Sequence, residues 1–139
     1  MKLINPFGPK IAVLKIPKNL IKKINDEFEQ ILLSKKLVKK RDYSEKLVGQ
    51  VSQEIELSNE FIEKNLKKYV KKSINQYLLK SLNKKTNKIK IKNLWIVRQF
   101  KNDYNPIHFH NGDISGVGYL KIPKNLTKGD KKLKTHGTI

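Results

Sequence analysis

Apolar side chains recur at helical spacing before about residue 87 and at alternating spacing after it. This change of period most constrains the fold, because side chains share a face every 3.6 residues in a helix and every second residue in a strand. Leu20, Ile24, Phe28, Ile31 and Leu32 predict an amphipathic helix over about 18–33, with Pro17 suited to its start. Ile62, Leu66, Tyr69, Val70, Ile74, Tyr77 and Leu78 predict a longer helix over about 59–82. Ser58 is its expected N-cap, and Glu60 lies in the first turn, where the helix dipole favours an acid. Ile11–Ile16 reads as a short strand stopped by Pro17, and 34–53 as loop with room for one short strand. After Asn83–Asn87, Lys88–Lys92 alternates as a strand with one wet face. Leu94–Phe100 is apolar on both faces and predicts a central strand. Asn111-Gly112-Asp113 is a turn signal. Ile114–Ile122 predicts another strand, with Gly116 and Gly118 on one face where something can approach closely. Lys134–Ile139 reads as the beginning of a further strand.

At 139 residues the chain is expected to be one domain, helical over about 1–87 with a partial sheet over about 88–139. Three or four strands, the last at the chain end, would leave an unpaired edge. The expectation is therefore that the C-terminal strands are missing, or that something else completes the sheet.

The formal net charge is +19, an electrostatic footprint suited to nucleic acid or another anionic surface. Arg41 and Arg98 are the only arginines, whereas specific readers of bases lean on Arg. Lysines occur in every segment. Solvated Lys surface is the simpler reading, and any nucleic-acid contact is expected to be non-specific. No cysteine is present, which excludes disulfides, thiolate metal sites and a Cys nucleophile. No apolar run approaches the ~20 residues of a membrane helix. No signal-peptide core follows Met1, and a soluble, cytoplasmic protein with no membrane partner is expected.

His108-Phe109-His110 carries the clearest chemistry. In an extended segment the two imidazoles point to one side and Phe109 to the other, the arrangement a metal site needs. An isolated pair of this kind is more often two solvated polar residues at a strand end. Its setting shifts the balance: Trp95, Phe100, Asn105, Ser115-Gly-Val-Gly-Tyr-Leu120 and Pro123 flank it. With those residues the chain resembles the iron(II)- and 2-oxoglutarate-dependent oxygenases, in particular their prolyl-hydroxylase-like bacterial and phage members. Asn5-Pro-Phe-Gly8 and Asp42–Gly49 are similar more loosely to that group's N-terminal region.

The resemblance implies an α+β fold, with helices packed on an incomplete double-stranded β-helix, the jelly roll. It implies Fe(II) as cofactor, 2-oxoglutarate as small-molecule cosubstrate and hydroxylation of a substrate that is not specified. His108 and His110 are the implied iron ligands, and Asp113 either ligates or supports an imidazole. Arg98 and Tyr119 are candidates for the cosubstrate pocket. Phe100 and Asp103 stand where that group has Tyr and Gly, and His110 where the wider superfamily has an acid. The family's distal His and its carboxylate-pairing basic residue are expected beyond Ile139, with His136 a weak substitute. The chain alone is therefore expected to be inactive or very weak. The rival readings are a basic nucleic-acid-binding module and a structural or sugar-binding jelly roll of a phage particle.

Overall fold

The computed structural model describes residues 1–8 and 10–123. In chain order the elements are β1 (Lys2–Ile4), β2 (Ile11–Val13), α1 (Lys18–Leu32), α2 (Lys35–Arg41), a 3-10 turn (Ser44–Lys46), β3 (Gln53–Glu56), α3 (Asn59–Phe61), a π-helical turn (Ile62–Leu66), α4 (Lys67–Leu82) and β4 (Trp95–Arg98).

The helices follow their apolar spacing. Pro17 opens α1, and its carbonyl accepts from the N–H groups of Leu20 and Ile21, both at 3.0 Å. Leu20, Ile24, Phe28 and Ile31 then face inward along one side. The Ser34 hydroxyl accepts from Leu37 N–H and starts α2, where the sequence alone suggests loop. The predicted helix over 59–82 forms as α3, the π turn and α4 in succession. Ser58 caps it by accepting from Phe61 N–H at 3.2 Å. The π turn winds wider than an α-helix and puts Ile62 and Leu66, four apart, into the core together. Asn83, left-handed at φ 52°, ends α4.

β1 and β2 pair antiparallel, with Leu3 opposite Ala12. β3 and β4 pair antiparallel, with Ile55 opposite Ile96 and Glu56 opposite Trp95. The core lies between α1, the π turn and the inner face of β3–β4: Leu20, Ile24, Phe28, Ile31, Ile55, Leu57, Ile62, Leu66 and Ile96. Tyr69 packs partly buried against that core, and Tyr77 follows two turns further along α4. Their hydroxyls donate to the carbonyls of Lys15 and Lys10, which fastens the N-terminal hairpin and its exit along α4.

The jelly-roll expectation is overturned. The described residues form helices and two separate two-stranded antiparallel sheets, with no closed or half-closed barrel. Lys88–Lys92 and Ile114–Ile122 are not strands, and Leu94–Phe100 contracts to four residues of an edge strand with one neighbour. Alternation of side chains specifies two faces, but a strand also needs a neighbouring backbone to take its N–H and C=O groups. Among the described residues that neighbour of β4 is β3, which starts at Gln53, where the stretch read as loop with room for one short strand ends. The strand expected over 134–139, and His136 with it, lie outside the described residues. Among the described residues no helix is long and apolar enough to cross a membrane.

Candidate metal centre

The two histidines follow a loop that is pinned at its beginning. Gln50 and Tyr104 exchange backbone hydrogen bonds at 2.9 and 3.1 Å. The Asp103 carboxylate accepts from Ser52 N–H and Oγ–H and from Phe100 N–H. Those bonds to the charged form, the one from Phe100 N–H first, hold the Asp103 carboxyl below its ordinary value. Gly49 lies against Asn105, and a Cβ at Gly49 would collide with the Asn105 side-chain amide. Residues 49–52 therefore fix where Pro106 and the residues after it start.

From that anchor the chain bends at Ile107 and reaches His108 and His110 without regular secondary structure, and both histidines are exposed. Phe109 between them is 90% exposed. The two imidazole Nε2 atoms are 3.0 Å apart, and the rings meet edge to face with centroids 4.6 Å apart. His108 Nδ1 is 2.7 Å from the Pro106 carbonyl oxygen. A carbonyl only accepts, so Nδ1 carries the proton, and His108 Nε2 accepts a hydrogen bond from Nε2–H of His110. The His110 ring stands 6.0 Å from Trp95, and Trp95 stacks at 5.3 Å on Tyr43. An aromatic pair rooted in β4 and in the 42–46 turn thus backs the second histidine.

A metal ion between the two imidazoles would replace the hydrogen bond that joins them once the His110 proton moved off Nε2. Two imidazole nitrogens each ~2.1 Å from one ion, at right angles, are ~3.0 Å apart. The Pro106 contact is the hydrogen bond that commonly fixes the tautomer of a ligating histidine. Among the described residues no group of three or more His, Asp or Glu gathers around one point. Asp113 is exposed in the following turn and does not complete such a group. Arg98 lies on the Ile96 side of β4, opposite in parity to Trp95, and its guanidinium rests over Phe100 at 5.1 Å. It makes no ion pair with Asp103 or Glu56 among the described residues. Tyr119 is 54% exposed, while its neighbour Leu120 packs against the core cluster. Gly118 does receive a close neighbour, since a Cβ there would stand 2.9 Å from Ile16 Cδ1.

Four features escaped the sequence: the Pro106 carbonyl, the Tyr43–Trp95 stack, the Ser52–Asp103 clamp and Glu54. The first had a local signal, a carbonyl two residues before a histidine. The others join positions far apart in the chain. Glu54 is a buried carboxylate, 2% exposed, on the Trp95 side of the sheet. Its Oε2 has no partner among the described residues, and burial, then the nearby Asp42 charge, push its carboxyl up.

The chain matches no family model, no curated protein sequence and no solved structure.

Proposed function

We propose that His108 and His110 bind one divalent metal ion, and that the ion is the iron(II) of a 2-oxoglutarate-dependent oxygenase. The observation that carries the metal reading is the 3.0 Å separation of the two Nε2 atoms, with His108 oriented by the Pro106 carbonyl. The oxygenase assignment comes from the sequence resemblance around Trp95 and 105–123. Iron(II) in such enzymes couples oxidative decarboxylation of 2-oxoglutarate by dioxygen to hydroxylation of a C–H bond. The chain's own part is to hold the two imidazoles side by side. Trp95 limits the tilt of His110, and the clamp at Ser52 and Asp103 sets where the pair stands.

Two protein ligands leave other positions on an ion free for a cosubstrate and for dioxygen. They also make for loose metal binding.

Anaerobic titration with Fe(II), or with Co(II) as a spectroscopic substitute, tests the site. One ion per chain is expected, with binding abolished in His108→Ala and in His110→Ala. Binding left unchanged by either replacement overturns the site. Isothermal titration of the loaded protein with 2-oxoglutarate then tests the oxygenase reading. Cosubstrate binding that requires the metal supports it. A metal-loaded protein indifferent to 2-oxoglutarate keeps the site and removes the oxygenase.

A further inference from the structure

The acidic residues are more unevenly placed than the lysines. Between Glu63 and Asp103 the chain carries 13 basic residues and not one acid. That stretch supplies 13 of the 19 net positive charges, whereas residues 1–63 supply three. It comprises α4, the connector behind it and β4.

The fold turns this run into a surface. On α4, Lys68, Lys72 and Asn75 fall within about 60° of helical arc. Tyr77 and Ser81 lie on the other side of the helix and Tyr69 between the two sides, and all three bond to the backbone or side chain of residues 10–15. The hairpin therefore covers one flank of α4 and leaves Lys68 and Lys72 exposed on the other. The chain leaving α4 folds back to that same flank: Asn75 Oδ1 accepts from Thr86 N–H at 2.8 Å, and Thr86 Oγ1 accepts from Lys88 N–H at 3.1 Å. Asn75, Lys85, Thr86, Asn87 and Lys88 thereby line an open depression of about 540 Å³. Its lining offers ammonium, amide and hydroxyl donors, with no carboxylate and no large apolar side chain.

We propose that this face, Lys68 and Lys72 leading to the depression at Lys85 and Lys88, docks the phosphate backbone of a nucleic acid without reading its bases. Lysine ammonium groups are point charges that position a phosphate and carry no base code. Release of condensed counterions drives such an association. No large apolar side chain stands among the lining residues to insert into lipid, whereas their ammonium and amide groups can each meet a phosphate oxygen.

Fluorescence anisotropy with duplexes of unrelated sequence, titrated at several KCl concentrations, tests this on the whole chain. Equal affinity for the different duplexes is expected, with a steep linear fall of log K against log salt. The variant K68Q/K72Q/K85Q/K88Q should bind at least about tenfold more weakly, with the slope smaller by about 0.9 for each phosphate no longer neutralised. The variant K35Q/K36Q/K39Q/K40Q makes the same charge change on α2 and should stay near the parent. Equal weakening in the two variants would mean that only total charge matters, and would overturn the proposal. So would a parent slope near zero, a reading independent of the variants. Binding to phosphatidylserine vesicles in preference to duplex would overturn it in favour of a membrane surface.

Discussion

The Asp103 carboxylate receives both the backbone N–H and the hydroxyl of Ser52, at 3.0 and 2.8 Å, across 51 positions of sequence. It also receives Phe100 N–H at 3.0 Å, so one side chain closes the turn before the histidines and ties it to the strand leading into β3. Those bonds favour the ionised form, which is why its carboxyl lies below the ordinary range. A carboxyl lowered in the folded state contributes stability above its unfolded value, and that contribution is lost as pH falls through the folded value. Protection of the Ser52 and Phe100 amides, as the ratio of intrinsic to observed exchange rate at each pH, should therefore fall on acidification below the usual carboxylate range. In Asp103→Ala both amides should already exchange fast at neutral pH, with no acid step. An identical profile in parent and variant would remove the clamp from the account.

Glu54 should behave with the opposite sign. Burial, then the Asp42 charge, raise its carboxyl in the folded state, so stability declines as pH climbs from the unfolded value to the folded one. Above that range the folded protein carries a buried charge with an unpaired oxygen. Glu54→Gln removes the charge and keeps the shape. It is expected to stabilise by about 1 kcal/mol at neutral pH, and by much less in acid, where the parent carboxyl is protonated too. Thermal melts of both proteins across the pH range give the answer. A variant destabilised at every pH would show that Glu54 has a partner it needs.

Trp95 is the chain's only tryptophan, and its ring is 6.0 Å from that of His110. Its fluorescence should therefore report on the metal site. Co(II), a paramagnetic quencher, should dim it in the parent with a saturable midpoint equal to the binding constant. His108→Ala keeps the fluorophore and its neighbour, yet should abolish the saturable phase. Saturable quenching that persists in that variant would place the ion elsewhere.

The two main helices were legible from one-dimensional spacing. The apolar face of α1 and the Ser58 cap involve residues a few positions apart, so the code that forms them is local. The pairing of β3 with β4 was not legible, because Ile55 and Ile96 meet across 41 positions, and a mixed-charge stretch with room for one short strand does not say which strand it pairs with. The same limit undoes the jelly-roll expectation. Alternation in 88–92 and 114–122 is real, but it names faces without supplying a neighbour.

The sequence by itself determined where the two main helices run, that His108 and His110 stand two positions apart, and that a long stretch carries only positive charge. Each follows from bonded geometry or from counting. Only the tertiary structure decided that the imidazole nitrogens stand 3.0 Å apart with Pro106 orienting one ring, and that Trp95 and Tyr43 support the other. It also decided that the hairpin covers one flank of α4 while the chain after it returns to the lysine flank. Those arrangements depend on contacts between distant residues, whose energies are settled only when the core around Ile55, Leu66 and Ile96 closes.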